Sequence, residues 1–474
     1  MEEKFKILDG AIGFDHKSNT AYYIVPLTSL SKTTKKGRNI VEVKSHPYYV
    51  DSKYNFWSLS QEEQEKRKVY LTTVPFFYKG YEPWKKQLID QFIKSKQDDI
   101  FDGLDVYQDV FHPIHLIVNS VIDFHDAVFA TLITLWIMGT YLSPIFDAYP
   151  YIFLSGTRGS GKTKVLEFVR YLAYSALMTS NTSASAVFRI AQANKATLLI
   201  DEGEMLSHSK ESAELRLILN AGYRKNNPVM RTNKDSFMVE FFDVTVPKMI
   251  AAINPLEATL KSRCIELVMV RTANKKKGNK RINDTSEEWE LMRDALYRYG
   301  LLRMARAKEI YETDPEVNIL ECRQNELFAP LLTVAKTIDI DGRRRIFKQI
   351  REYALSQNDM EDLLDDWHLY IIYILNDIVK TTRPYSIKEI KAKLQEFVPD
   401  FDESLKITSR WIGSALGRLG FKRGKRQESG NTYMISRAEV DELLVRYQIK
   451  DKAEHPERTE HPVDQTSDET PRLI

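Results

Sequence analysis

Short apolar runs alternate with amphipathic stretches through the middle of this chain, from about residue 106 to 362. Apolar runs of strand length that are separated by stretches of helical periodicity are typical of a parallel sheet with crossover helices. The pattern therefore predicts an α/β fold for this region, with the sheet at its centre.

The first 105 residues have a mixed pattern. Strand-like runs at 21–27 and 68–78 precede a helical stretch at 84–95, so residues 1–105 are predicted to form a small α+β domain. Two roles stay open for this domain. It is either a collar that binds DNA or positions subunits in a ring, or a module that only packs against the rest of the protein.

Residues 363–450 have a different order, with three helices, a hairpin and a final helix. This is the order of a winged-helix DNA-binding domain, whose third helix enters the major groove while the hairpin follows the phosphate backbone. Winged helices also serve as protein-binding modules, which is the alternative. Every charge between Glu403 and Glu428 is positive, and such clusters contact phosphates. The predicted DNA contacts in this region are Arg410, Arg418, Lys422, Arg423, Lys425 and Arg426.

Two polar segments are predicted to lie outside the packed core. Residues 272–288 are polar and rich in charge, which favours a mobile, solvated surface loop, with nucleic-acid contact as the alternative. The tail 451–474 carries three prolines and few large apolar residues, which predicts disorder.

Composition and apolar run length limit the partners and the cellular location expected for the protein. Lys and Arg number 68 against 66 Asp and Glu, so a surface for a polyanion must come from local clusters. The apolar run 127–142 is shorter than the about 20 residues of a membrane span, and a buried helix is predicted instead. Two cysteines, Cys264 and Cys322, are too few for a disulfide framework, and no secretion signal is present. A cytoplasmic protein without membrane contact is expected.

One segment of the middle region has the pattern of a phosphate-binding loop. An apolar strand leads into G-x-x-x-x-G-K-T at 156–163, and an amphipathic helix follows. In such loops the backbone N–H groups and the helix N-terminus bind phosphate, Lys162 reaches the β- and γ-phosphates, and Thr163 holds Mg²⁺. The expected activity is ATP hydrolysis with Mg²⁺. The loop residues assigned to nucleotide binding are Gly156, Thr157, Gly159, Ser160, Gly161, Lys162 and Thr163.

Two later strands end in polar residues that suit hydrolysis. The strand at 196–200 runs into Asp201, assigned to the outer coordination shell of Mg²⁺, and Glu202, assigned as the general base that polarises water. The strand at 246–253 ends in Asn254, whose amide can bind the γ-phosphate or orient water. An asparagine that only turns the chain is the alternative for Asn254.

Arg263 lies in a short polar segment before another apolar strand. Its guanidinium is expected to reach the γ-phosphate held by a neighbouring subunit and to neutralise charge in the transition state. This assignment requires an assembly, so it predicts that the chain forms a ring.

Taken together, these motifs resemble the AAA+ ATPases, among them the minichromosome-maintenance (MCM) helicases. The MCM-like and primase-helicase ATPases of plasmids, viruses and integrated elements are similar as well. The resemblance rests on the P-loop, the strand ending Asp201-Glu202, AAINP at 251–255 and SRC at 262–264. It covers about residues 120–340, extends more loosely to the winged-helix region, and hardly includes the N-terminal region.

This resemblance implies a P-loop parallel-sheet core with a helical lid, assembled into a ring that is expected to be a hexamer. It implies that Asn254 is the first sensor, Arg263 the arginine finger and Arg323 a second sensor. The chain departs from cellular MCM helicases because no cysteine-based zinc module precedes the ATPase region and the N-terminal region is short. Double-hexamer formation and origin licensing therefore do not follow from the resemblance.

Residues 227–244 predict a hairpin with turn-forming residues at its tip, 232–235. In the similar family such a hairpin projects into the pore of the ring and grips the DNA backbone. The resemblance therefore assigns DNA contact to Lys234 at the tip and to Arg231 beside it. A surface hairpin with a solvated lysine is the alternative.

The expected function is that of a ring-forming, ATP-driven DNA translocase or helicase that replicates a mobile element, with replication proteins as further partners. One alternative is an AAA+ DNA-binding regulator or loader that remodels another protein and unwinds nothing. Another is a nucleotide-gated DNA-binding module in which hydrolysis is only a timer. A small-molecule P-loop kinase is disfavoured because the sequence has no acceptor-site signature.

Overall fold

The structure is a computed structural model, and it falls into two compact units, residues 1–356 and 357–474. It describes residues 5–35, 38–76, 83–96, 104–179, 183–201, 203, 210–233, 237–254, 256–272, 274–283, 287–339, 342–397, 408–424 and 431–446.

The first unit begins with small sheets and two short helices. Its elements are β1 Lys6–Leu8, β2 Ile12–Asp15, β3 Thr20–Lys35, β4 Arg38–Asp51, β5 Phe56–Ser58, α1 Gln61–Arg67, β6 Val69–Leu71 and α2 Lys86–Ser95. Strands β2-β3-β4-β5 form one antiparallel sheet, and β1 pairs with β6 in parallel. The predicted strand at 21–27 lies within β3, and the predicted helix at 84–95 corresponds to α2. Among the described residues 68–76 of the run 68–78, the strand is β6.

The central region supplies the main sheet. A π-helical turn, Val106–Phe111, precedes the elements α3 His112–Val121, α4 Val128–Thr140, β7 Tyr151–Ser155, α5 Lys162–Leu172, β8 Leu177–Thr179, α6 Ala184–Asn194, β9 Leu198–Ile200, α7 Lys210–Ala221, β10 Val229–Thr232, β11 Val239–Phe242, β12 Lys248–Ala251, α8 Ala258–Lys261 and β13 Cys264–Val268. Five strands form a parallel sheet in the order β13-β7-β12-β9-β8. The predicted α/β class is confirmed, and β12 lies between β7 and β9.

Further helices follow the main sheet along the chain. They are α9 Lys275–Asn279, α10 Glu287–Thr313, α11 Cys322–Ile338 and α12 Ile346–Ile378, the last of which continues into the second unit. Helix α4 is buried along its whole length, which confirms a buried helix within the apolar run 127–142. Within the described parts of the chain, the helices are all too short or too polar to cross a membrane.

The N-terminal sheet and the central sheet share one hydrophobic core. The Tyr23 hydroxyl on β3 donates to the Tyr141 carbonyl at 2.9 Å, and the Tyr174 hydroxyl donates to the Ala11 carbonyl at 2.9 Å. Both contacts are buried, so the phenol groups are satisfied and the rings add to the apolar contact. The N-terminal region is thus packed as part of the first unit.

The second unit has its own core, centred on Ile371, Ile390, Ile412 and Tyr433. After the end of α12 come β14 Arg383–Ser386, α13 Ile387–Phe397, α14 Ser409–Arg418, β15 Lys422–Arg423, β16 Thr432–Ile435 and α15 Arg437–Arg446. The strands form an antiparallel sheet in the order β14-β16-β15. The predicted hairpin is present as β15 and β16, and β14 is an additional strand that sequence reasoning missed. Its four residues include Pro384, which weakens the strand signal.

Candidate nucleotide-binding site

The phosphate-binding loop follows β7 at the carboxyl edge of the parallel sheet, where ligands of such sheets bind. Gly156, Gly159 and Gly161 have φ angles of +138°, +77° and +93°. Side chains other than glycine rarely adopt such angles. A Cβ on Gly156 would lie 2.2 Å from the carbonyl oxygen of Met269, so this position has no room for any side chain.

Gly156→Ala is therefore expected to lower the free energy of unfolding by about 1–3 kcal/mol, because a non-glycine residue is strained in this conformation. The collision with the Met269 backbone adds to that cost. Thermal unfolding and nucleotide binding would measure the effect. Gly417→Ala in α14 is the control, since an added Cβ there meets nothing within 4 Å. Equal melting temperatures for both variants would contradict the assigned loop geometry.

The interior of the loop is lined with groups that suit a phosphate. Lys162 is the first residue of α5, and its Nζ donates to the carbonyls of Gly156 and Thr157 at 2.6 and 3.1 Å. The Ser160 hydroxyl is buried and has no hydrogen-bond partner among the described residues. The first N–H groups of a helix also lack partners within the helix. Together these donors fit the oxygens of a bound phosphate chain.

Thr163 and Asp201 are brought together although 38 residues separate them. The Thr163 hydroxyl on α5 donates to Asp201 Oδ2 at 3.0 Å, immediately after β9 ends. A hydroxyl and a carboxylate are oxygen ligands of the kind that Mg²⁺ takes beside phosphates. Both residues assigned to the metal therefore meet at one point of the carboxyl edge.

The end of β12 lies between the loop and Asp201, because β12 pairs with both β7 and β9. Ala251, Ala252 and Ile253 line the cleft at this point. Asn254 follows directly and is exposed, and its role as a sensor stays a prediction. Glu202 lies outside the described residues, so its role as general base also stays a prediction.

The cleft above the loop has a volume of about 1640 Å³ and a positive lining. Its acidic lining residues are Glu167 and Asp201. Its cationic lining residues are Arg158, Lys162, Lys164, Arg170, Lys280 and Arg281. Positive charge therefore dominates the lining of the cleft, a distribution that favours anions.

Residues 278–282 form one wall of this cleft. They belong to the segment 272–288, for which a solvated surface loop is expected. Helix α9 lies in this segment, and most of the described residues there are exposed. The Arg271 guanidinium donates twice to the Arg158 carbonyl of the phosphate loop, at 2.9 and 2.8 Å. Lys164 on α5 donates to the Lys277 carbonyl at 2.7 Å. These contacts anchor the segment to the loop and to the helix that follows it.

A second anchor of this wall is Asp123, which follows α3. The Thr272 hydroxyl donates to the Asp123 carboxylate at 2.5 Å, and Lys277 Nζ donates to the same carboxylate at 3.2 Å. Both contacts lower the pKa of Asp123 below its usual value. Sequence reasoning missed Lys280 and Arg281 as cleft residues. The run of basic residues at 275–281 was the available signal, but it did not show which surface the segment covers.

Arg263 and Arg323 lie together at the other edge of the sheet. The Arg263 carbonyl accepts from the Tyr151 amide at 3.0 Å, at the start of β7, whereas the phosphate loop follows the end of β7. Five residues of strand separate these positions by about 16 Å. Neither Arg263 nor Arg323 belongs to the lining of the cleft in its own chain.

The two guanidinium groups share the ring of Tyr223. Their central carbons lie 5.8 Å (Arg263) and 4.8 Å (Arg323) from the ring centroid. Arg323 also pairs with Glu326 at 2.5 Å. Burial and the nearby charge of Arg323 lower the pKa of Arg263. The structure thus places the two guanidinium groups side by side on one ring, with the Glu326 carboxylate as the partner of Arg323.

The predicted hairpin is present as β10 and β11, which pair antiparallel. Arg231 is salt-bridged to Glu214 at 2.5 Å, and Lys234 lies outside the described residues. Residues on the opposite face of the two strands are exposed. This exposed face consists of Met230, Thr232, Val239 and Phe241, and Phe237 and Met238 near the tip are exposed as well.

In the second unit, Arg410 is exposed at the start of α14, and Lys422 and Arg423 are exposed on β15. Arg418 ends α14. Lys425 and Arg426 lie outside the described residues. DNA contact by these residues stays a prediction.

Comparison with known proteins adds no family. Neither a model of a known protein family nor a curated protein sequence matches this chain.

Proposed function

We propose that this protein is a ring-forming, AAA+-type ATPase that moves along DNA and unwinds it, with a role in the replication of a mobile element. The ATPase assignment rests on the Thr163–Asp201 hydrogen bond of 3.0 Å. Beside it lies a glycine loop whose buried Ser160 hydroxyl has no partner among the described residues. Binding of a nucleotide with its metal requires a loop that holds the phosphates and oxygen ligands for the metal. Both lie here at the carboxyl edge of the sheet.

Each of these residues has a separate role in hydrolysis. Lys162 exchanges its two loop carbonyls for the β- and γ-phosphates when the nucleotide binds. Thr163 would hold Mg²⁺ directly and Asp201 through its outer shell, and the metal would supply positive charge beside the phosphates. Glu202 orients and deprotonates the attacking water, and Asn254 donates from its amide to the γ-phosphate.

Arg263 and Arg323 support the ring. They lie at the opposite sheet edge from the phosphate loop of their own chain, and this position favours a role at the loop of another copy. A guanidinium supplied in this way stabilises the charge of the transition state. Hydrolysis removes these contacts at the subunit junction, and the junction then shifts.

DNA binding is proposed for two surfaces. In the second unit, helix, strand, helix, helix and two strands follow in the order of a winged helix, with basic residues on α14 and β15. In the first unit, the β10–β11 hairpin directly precedes β12, whose end lines the nucleotide cleft. Movement of this hairpin with the nucleotide state would move bound DNA.

A remodelling ATPase is the second candidate, and one observation favours it. The exposed hairpin face includes Met230 and Phe241, with exposed fractions of 61% and 62%, and Phe237 near the tip is 80% exposed. Exposed apolar patches mark surfaces that contact other proteins. In this alternative the hairpin grips a protein partner, and no DNA is unwound.

Lys234→Ala is expected to separate the two candidates. In the helicase, the variant loses strand displacement on forked DNA because the tip cation no longer binds the backbone, while DNA-stimulated ATP hydrolysis continues. The matched control is Lys348→Ala, which removes an exposed lysine on α12. Strand displacement that equals that of the control would favour the remodelling ATPase. Gel filtration with and without nucleotide would show whether the ring forms.

A further inference from the structure

Lys248 is a fully buried cation at the start of β12 that the proposed reaction does not use. Its Nζ donates to three backbone carbonyls, those of Gly222 at 2.9 Å, Val244 at 3.1 Å and Val246 at 3.0 Å. An ammonium group has three N–H donors, so all of them are engaged. The ring of Tyr151 lies 4.7 Å from the same nitrogen and completes the site.

The three carbonyls belong to the two ends of the β10–β11 hairpin region. Gly222 follows α7 and precedes the hairpin, whereas Val244 and Val246 lie in the link that leaves it. The two backbones are in contact here, since a Cβ on Gly222 would lie 2.2 Å from the Val244 carbonyl oxygen. One side chain therefore holds the entry and the exit of the hairpin region against each other.

The opposite end of the same strand reaches the nucleotide. From Lys248 to Ile253, β12 and the residues that follow it extend for about 16 Å along the strand direction. They end among the residues that line the cleft. Pairing with β7 on one side and β9 on the other makes β12 a stiff central strand. A stiff strand would carry a shift at its cleft end to its other end.

The arginine pair is joined to the same point. Tyr223, whose ring lies beneath Arg263 and Arg323, is the residue after Gly222. Its ring also packs edge-on against Tyr151 at 5.6 Å. Burial lowers the pKa of Lys248 to about 7, an effect that Asp243 opposes. The carbonyl dipoles likewise favour the charged form, because their oxygens accept from all three ammonium hydrogens.

We propose that Lys248 is the positioning residue that couples the nucleotide cleft to the β10–β11 hairpin. This inference rests on the proposed function, since it requires that the cleft binds ATP. Lys248 touches neither nucleotide nor DNA. It makes β12 and the two ends of the hairpin region move as one body, so the nucleotide state reaches the hairpin.

Hydrogen exchange with mass spectrometry tests this coupling on the full chain. A non-hydrolysable ATP analogue with Mg²⁺ should slow exchange in the wild type both at the phosphate loop and at the amides of β10 and β11. In Lys248→Met, which keeps an unbranched side chain and removes all donors, the loop should still respond and the hairpin response should be lost. Lys336→Met is the control, because Lys336 pairs with Asp314 in a different part of the unit.

The outcomes separate this inference from the proposed function. A wild type whose loop responds while its hairpin does not would overturn the coupling, whether or not the variant folds. A hairpin response that persists in folded Lys248→Met would overturn it as well. If the wild-type loop itself does not respond to the analogue, the ATPase proposal fails first.

Discussion

Arg263→Ala is expected to lower the rate of ATP turnover by about a thousandfold or more while nucleotide affinity changes little. An arginine supplied across a junction stabilises charge that develops only in the transition state, and its loss is of this order. Arg263 lies at the sheet edge opposite its own phosphate loop, so the effect arises in the neighbouring site. Steady-state hydrolysis at concentrations where the ring is assembled would measure it.

A mixing experiment shows whether the site is shared. Arg263→Ala lacks the finger and Lys162→Ala lacks the phosphate-binding lysine, so each variant is inactive alone. In mixed rings some junctions combine an intact Lys162 with an intact Arg263, and turnover should reappear. Arg306→Ala is the control, because Arg306 is an exposed residue of α10 paired with Glu309. Full turnover by Arg263→Ala, or by a protein that remains monomeric, would refute the ring mechanism.

Asp201→Asn is expected to reduce turnover by about a hundredfold or more and to raise the Mg²⁺ concentration needed for half-maximal activity. The substitution keeps the shape of the side chain but removes the charge that holds the metal, and metal stabilisation of a phosphoryl group amounts to several kcal/mol. Each 1.4 kcal/mol or so corresponds to a factor of ten. Titration of ATPase activity with Mg²⁺ would measure both effects.

Glu167→Gln provides the matched control for this prediction. Glu167 lines the same cleft, and its substitution removes one negative charge as Asp201→Asn does. The hydrogen bond of Thr163, however, is made to Asp201. Only Asp201→Asn should therefore change the Mg²⁺ dependence. If both variants have the Mg²⁺ dependence of the wild type, the Thr163–Asp201 contact is structural and does not form a metal site.

Much of the central region could be predicted because its signals are local. The glycine spacing around Lys162 predicts a phosphate-binding loop, and Gly156, Gly159 and Gly161 have positive φ angles that glycine adopts readily. The apolar run before Asp201 forms β9, and the residues on either side of 233–238 form the predicted hairpin. Each of these features is determined by a few consecutive residues, through conformational preference or burial.

The grouping of these pieces could not be predicted from the sequence. Nothing in the run 246–254 shows that β12 lies between β7 and β9, and nothing in 275–281 shows that this segment becomes a wall of the cleft. The pairing of Arg263 with Arg323 around Tyr223 depends on three distant segments. Strand order and the contacts of the cleft wall depend on residues that are far apart in the sequence, so local patterns do not predict them.

The sequence by itself determined the phosphate loop, the polar ends of two strands, the hairpin and the alternation of strands with helices. Tertiary structure decided which of these meet: Thr163 with Asp201 at one sheet edge, and Arg263 with Arg323 at the other. It also decided that Lys248, an ordinary lysine in the sequence, is buried beneath three carbonyls. The physical reason is that backbone conformation depends on neighbouring residues, whereas burial and contact depend on how the whole chain packs.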